Sequence, residues 1–184
     1  MSTTLSFLIR DGLQTDIAKC LELDHVYQTE YVWQMRLLEE TGRQQITFTR
    51  ERLPRMLSNE YPASEKRLQA ALVAQHGFLV AASRDHAELL GYMTIYSDPV
   101  YRIACVRDLV VSRPYRQNGI GTRLLNIARQ WAREHQLSQL MLEVQTKNYP
   151  AIAFCQQCGF TFCGFNDHYF ANQDIAVFFS QSLR

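Results

Sequence analysis

Residues 116–121 read Arg-Gln-Asn-Gly-Ile-Gly and follow the apolar run RDLVV. A strand that runs through a basic, glycine-containing turn into a helix makes an anion site. The first N–H groups of a helix have no internal carbonyl partner, and the helix dipole puts partial positive charge on them. Gly119 and Gly121 carry no side chain, so a phosphate can approach the backbone of Gln117, Asn118, Ile120 and Thr122 closely. Arg116 adds formal charge at the entrance, with Arg113 and Arg123 nearby in sequence. Two glycines at a strand–helix turn also serve packing alone, so the spacing by itself leaves both readings open.

Three further side chains stand out by type and setting. Asp108 and Glu143 each interrupt an apolar stretch, where an unpaired charge is costly. Each is either a proton acceptor, a carboxylate for a cationic substrate, or half of a salt bridge, for instance to Arg107 or Arg102. Cys155 forms a CxxC with Cys158, and Cys163 follows. No second CxxC or paired histidine completes a four-ligand zinc set, so small, buried, reduced thiols are expected and no metal. Five cysteines, an odd number, argue against a disulfide framework. His25, His76, His86, His135 and His168 show no ligand spacing.

These residues need elements to place them. A short strand, SFLIRDG (6–12), precedes a helix over 15–23 that buries Ile17, Cys20 and Leu21. Tyr31, Trp33 and Met35 alternate with polar or smaller residues, as do Ile46 and Phe48 after Thr41-Gly42, which predicts an antiparallel hairpin ended by Pro54. A helix is expected over 64–75 with Ser64 as its cap. Strands follow at 78–83, 89–96 and 102–111, with a turn at Asp85-His86; their near-continuous apolar runs suit strands covered on both faces. Leu124, Leu125, Ala128, Trp131 and Ala132 form one stripe of a helix over 119–135. A strand at 139–145, a short helix opened by Pro150, and closing strands at 160–170 and 174–183 complete the chain. The order predicts one α/β (α+β) domain over 1–184, a mixed central β-sheet with helices on both faces.

The spelling of two blocks resembles the GNAT acetyltransferase superfamily. Residues 116–121 match its R/Q-x-x-G-x-G/A signature. LEVQTKNYPAIAFCQQCGF (142–160) is similar to L-x-V-x-x-x-N-x-x-A-x-x-x-Y-x-x-x-G-F, with Asn148, Ala151, Gly159 and Phe160 in place. Within that family the strings RDLVV, LEVQ, CGF, GFNDHYF and DIAVFF are similar to streptothricin acetyltransferases.

The resemblance implies the GNAT fold and acetyl-CoA as co-substrate. By position it implies pyrophosphate on the backbone from Gln117 to Thr122, with Arg116 and Asn148 in the coenzyme site. It further implies a pantetheine arm paired as an added strand along Leu109, Val110 and Val111. Two strands would splay beside a bulge to admit it, and strand N–H groups would face the thioester oxygen. An amine would attack the acetyl group directly after losing a proton, with Asp108 or Glu143 as acceptor. Where the family commonly carries a tyrosine acid, this chain has Cys155, with Tyr149 and Tyr169 nearby. A thiol of ordinary pKa, about 8.5, suits that proton transfer; inert packing is the alternative. The acceptor wall implied by the resemblance contains Tyr31 and Trp33, whose faces can hold a cation or fill a core, and Asp167.

The implied activity is N-acetylation of a primary amine of a small molecule. The alternatives are acetylation of a protein N-terminus or lysine, and a non-catalytic acyl-CoA sensor. A formal net charge of +1, from 19 basic and 18 acidic residues, calls for neither nucleic acid nor an anionic membrane. No apolar run reaches the roughly 18 residues of a membrane span, and the opening MSTTLSFLIRDG has no signal-peptide pattern. A cytoplasmic monomer or homodimer is expected.

Overall fold

The computed structural model describes residues 5–73, 75–85 and 88–184. His86, half of the expected turn at Asp85-His86, lies outside the described residues, as do the first four positions of the opening segment. The elements are β1 (Phe7–Asp11), α1 (Asp16–Leu21), β2 (Val26–Glu40), β3 (Arg43–Glu60), α2 (Glu65–Ala70), β4 (Gly77–Ser83), β5 (Leu89–Asp98) and β6 (Ile103–Val111), followed by a 3-10 turn (Arg113–Tyr115), α3 (Ile120–Glu134), β7 (Gln139–Gln145), α4 (Tyr149–Gln157), β8 (Thr161–Asn166) and β9 (Ala176–Ser182). The chain forms two compact units. The first holds Met1–Val26, Glu60–Leu142 and Ser180–Arg184; the second holds Tyr27–Asn59 and Glu143–Phe179.

In the first unit the strand order is β1-β4-β5-β6-β7. The pairs are antiparallel up to β6, and β6 pairs with β7 in parallel, so the sheet is mixed. Every residue of β4 is buried, which explains its unbroken apolar spelling. Val80, Ala82, Tyr92 and Val110 pack with Ile17 and Cys20 of α1 and with Leu68 and Ala71 at α2. Strand alternation turns Leu79, Ala81 and Met93 to the opposite face, where α3 packs over β4, β5 and β6. Both faces are thus covered by helices. Of the expected stripe, Leu124, Leu125, Ala128 and Ala132 are buried and Trp131 is half-buried.

In the second unit β2 and β3 form a two-stranded ribbon, and β7, β9 and β8 neighbour one another in that order. Trp33 stands among Phe48, Phe162 and Phe179, with ring centroids 6.0, 5.9 and 5.6 Å away. The ribbon overturns one expectation. Its second strand runs through Pro54 to Glu60. Among the described residues β3 pairs only with β2, and an edge strand tolerates a proline within it. Helix α2 is shorter than expected, although Ser64 caps it by accepting from Arg67 N at 3.4 Å. Beyond Ala71 the chain has no buried face to extend: Leu72 is half-buried and Val73 is 48% exposed. β8 stops at Asn166, and the residues up to Asp174 form a loop.

Strands β5 and β6 approach closely at Gly91, where a Cβ would lie 2.5 Å from the carbonyl oxygen of Val110 and 3.2 Å from Val111 Cα. Both neighbours are backbone, so neither can swing away. Gly91→Ala is expected to cost about 1–3 kcal/mol, read as a lower midpoint of urea unfolding; an unchanged midpoint would show that the strands part there without cost.

Candidate active site

The candidate coenzyme site begins with one irregularity in β6. Thr94 pairs with Asp108, but the next residue, Ile95, pairs with Val106. Arg107 is therefore an extra residue, a bulge. Ser112 N donates to Leu90 O at 2.8 Å, so by alternation Val110 and Asp108 also turn their main-chain groups toward β5. Leu109 and Val111 turn theirs to the other edge. Parallel pairing with β7 runs only from Ile103↔Gln139 to Val106↔Leu142. Among the described residues of the first unit, no strand pairs with the edge from Leu109 to Val111. This corrects the expectation for Val110, whose backbone faces Tyr92 and whose side chain is in the core. Leu109 and Val111 are the edge residues.

After β6 the chain turns through 113–119 into α3. Gln117 and Gly119 both adopt positive φ, 63° and 77°. No atom lies within 4 Å of a Cβ built on Gly119, so the outer side of the turn is open. Glycine is needed there for its conformation rather than for space. The first helical bond runs from Arg123 N to Gly119 O at 3.0 Å. The N–H groups of Ile120, Gly121 and Thr122 precede it and have no carbonyl behind them. Asn118 Nδ2 holds the turn by donating to Tyr115 O and Arg116 O, at 3.1 and 3.0 Å. These features fit a pyrophosphate.

Arg116 departs from its expected role. Its guanidinium donates to Val111 O (2.9 Å), Val26 O (2.7 Å) and Asp24 O (3.3 Å). Burial draws its pKa below the usual arginine value. Arg116 ties the turn to the end of β6, with three of its five N–H donors on carbonyls. Among the described residues no group of three or more His, Cys, Asp and Glu side chains is gathered to hold a metal ion.

Asp108 is fully buried. Its Oδ1 accepts from Arg67 and from the Tyr61 hydroxyl, both at 2.8 Å, and its Oδ2 accepts from Thr94 Oγ1 at 2.6 Å. The ion pair is thus with Arg67, not with either arginine near in sequence. Arg107 lies over the Tyr96 ring at 4.5 Å, and Arg102 Nε donates to Gln136 O. Loss of hydration and then the Asp108 charge raise the Tyr61 pKa well above its usual value, so Tyr61 keeps its proton. No spacing in the sequence joins Tyr61, Arg67 and Thr94 to Asp108; the signal was only that a buried carboxylate demands partners.

In the second unit Glu143 is half-buried and accepts from the Tyr169 hydroxyl at 2.8 Å. The loop carrying Tyr169 is organised by Asp174, which sequence reasoning missed. Asp174 is buried and pairs with Lys147. Its carboxylate also accepts from Asn172 Nδ2 (2.9 Å), and its carbonyl accepts from Tyr169 N (3.2 Å).

Asn148 caps α4, its Oδ1 accepting from Ala151 N at 3.2 Å. Asp167 is exposed and lies 3.2 Å from His168 Nδ1. Trp33 is absorbed by the phenylalanine cluster. The Tyr31 ring is already covered by Arg50, whose guanidinium carbon lies 4.9 Å from its centroid.

Cys155 is 1% exposed on the inner side of α4, and burial pushes its thiol up to about 12. A proton held that tightly is not readily given up, and packing is the role its position supports. This replaces the acid expected from an ordinary thiol.

The sequence signature of the acetyltransferase (GNAT) family matches residues 35–160. The chain belongs to that family. It is similar to streptothricin acetyltransferase of Escherichia coli, at 39% identity over 62 residues, 34% of this chain and 36% of that protein. The chain thus spans only about a third of this curated relative's length. Among solved structures, nourseothricin acetyltransferase superposes with a TM-score of 0.83 at 23% identity, over 97% of this chain and 99% of the other. A Bacillus anthracis str. Ames structure in complex with acetyl coenzyme A superposes with a TM-score of 0.78 at 24% identity, over 97% and 99%. At those identities the superpositions establish the GNAT fold.

The thiols give a direct check. Cys163 is exposed, whereas Cys155 is buried with a raised pKa. Iodoacetamide at pH 8 is expected to alkylate Cys163 and spare Cys155 in the folded protein, as read by peptide mass spectrometry. Equal labelling would return Cys155 to the list of accessible acids.

Proposed function

We propose that the chain is an acetyl-CoA-dependent N-acetyltransferase that acts on a primary amine of a small molecule, with residues 1–184 serving as one acetyltransferase domain. The observation that carries this reading is the open edge of β6 at Leu109 and Val111, which leads directly into the N–H-lined turn of α3. An extended, amide-bearing chain ending in a pyrophosphate matches that surface. Pyrophosphate would lie on the main chain of 117–122. The pantetheine amides would pair with Leu109 and Val111 as an added strand. Family membership and the streptothricin acetyltransferase relative support the same reading. The cation-ready aromatics are committed elsewhere, so the acceptor's positive charge falls to carboxylates.

Bound acetyl-CoA supplies the activated acetyl group. The chain's own part is proton handling and charge stabilisation. An ammonium has no lone pair, so the acceptor must first lose a proton. Glu143 takes it, with its carboxylate oriented by the Tyr169 hydroxyl. The Leu109 N–H faces the edge where negative charge develops on the carbonyl oxygen; the C–N bond forms, the thioester C–S bond breaks, and the departing thiolate takes a proton from water. Asp108 is a poorer choice of base, because all its bonds go to Arg67, Tyr61 and Thr94 and it is shut from solvent.

The test is thiol release from acetyl-CoA against streptothricin, a panel of small amines and lysine-containing peptides. Release that depends on a small amine is expected, and Glu143→Gln should lower kcat about 10²–10⁴-fold. Release with peptides alone would move the substrate to a protein. Gly121→Glu places bulk and negative charge in the turn and should abolish CoA binding in calorimetry. Retained binding would refute the cradle assignment.

A further inference from the structure

We infer that Tyr61, Arg67, Thr94 and Asp108 act together as a brace that holds the β6 bulge and so decides which main-chain groups face the open edge; the functional part of this inference rests on the proposed acetyl transfer. Without the extra residue at Arg107, strict alternation would put Asp108 on the same face as Val106. Val106 pairs with Ile95, on the face covered by α3. With the bulge, Asp108 pairs with Thr94 and turns to the face where α2 packs. The same shift reverses the main chain. Leu109 would turn its N–H and carbonyl toward β5 in an unbulged strand, and turns them to the open edge in this one.

A bulge bends a strand and interrupts its ladder, so something must hold it. Thr94 does so from β5. Its hydroxyl donates to Asp108 Oδ2 at 2.6 Å and accepts from the Asp108 N–H at 3.2 Å. A side chain thereby bonds the backbone N–H at the site of the irregularity. Tyr61 does so from the other side, its hydroxyl lying 2.8 Å from Asp108 Oδ1 and 3.0 Å from the carbonyl oxygen of Arg107 itself. Arg67 supplies the compensating charge at 2.8 Å and also donates to the Tyr61 oxygen at 3.2 Å. The carboxylate is thus the hub that ties α2, the 60–64 segment and β5 to one backbone kink. Its charge orders donors and takes no proton from substrate.

Thr94→Val and Tyr61→Phe remove one arm each and leave the carboxylate in place. Each is expected to lower kcat on the order of 10²-fold, the effect of misplacing reacting groups by an ångström. The pH profile should keep its limbs, because no titrating group is lost. Thr94→Ser keeps the hydroxyl and should restore kcat. Backbone hydrogen exchange of the same variants without substrate should show faster exchange at Asp108 and Val110, with Thr94→Ser again protected. The inference is overturned if Thr94→Val and Tyr61→Phe keep both wild-type kcat and wild-type exchange. It is also overturned if Asp108→Asn alone abolishes turnover and removes the acid limb, which would make Asp108 the base. Wild-type protein that releases no thiol with any amine would sink the proposed reaction, while the exchange measurement would still decide whether the brace holds the bulge.

Discussion

A carboxylate with no exposed surface must be compensated where it stands. Desolvating an ion costs several kcal/mol even after relaxation, and a nearby cation offsets this only with good geometry and satisfied lone pairs. Asp108 meets both conditions through one arginine and two hydroxyls. The requirement reaches across the first unit. Arg67 must come from α2, Thr94 from β5 and Tyr61 from the segment before α2. Each of those elements is then fixed against β6 by a polar bond, beside the apolar packing of Ile17, Leu68, Val80, Tyr92 and Val110. Hydrophobic contact tolerates small slips between elements. A hydrogen-bonded ion pair does not, and it stands at the residue where the sheet's regularity breaks.

From that break the rest of the proposed coenzyme surface follows as main-chain geometry. Turning Leu109 and Val111 outward exposes backbone groups along an edge that β7 does not cover in the first unit. Arg116 then reaches back from the turn to Val111 O, Val26 O and Asp24 O, fixing the start of α3 to the end of β6. The strand edge and the helix N-terminus are thereby joined by a side chain that was expected to touch the ligand. Its value lies in rigidity. Backbone donors are effective only when held in place before the charge they stabilise appears.

The sequence made one class of features legible and concealed another. Strand and helix placement followed from periodicity, because β4, β5 and α3 are buried in patterns that their apolar residues spell directly. The tight turn into α3 was legible because its glycines and the αL conformation at Gly119 have a local cause. The partners of Asp108 were not legible. Arg67 and Tyr61 lie more than forty residues away, and nothing in a linear pattern links a carboxylate to a distant guanidinium. Arg102 and Arg107 were plausible by nearness alone, yet each has a different contact. The continuation of β3 through Pro54 was hidden for a related reason. Proline forbids a ladder bond only if a neighbour exists on that side, and the number of neighbours is a property of the fold.

The second unit shows how packing narrows chemistry. Aromatic residues on alternating strand positions suit either a core or a cationic ligand, and sequence cannot choose. Here Trp33 is spent on three phenylalanines. Tyr31 faces Arg50, which also donates to the Tyr149 hydroxyl at 3.3 Å. A guanidinium already over a π face disfavours a second cation beside it, since like charges repel and the quadrupole is partly satisfied. The groups left to attract an ammonium in that unit are anionic. Asp174 is committed to Lys147 and to its own loop. Glu143 is half-buried and accepts from the Tyr169 hydroxyl. A carboxylate oriented by a neutral donor can both attract an ammonium and accept its proton, whereas one neutralised by an arginine does neither well. That contrast in partners, phenol against guanidinium, is why the proposed reaction gives the proton to Glu143 rather than to Asp108.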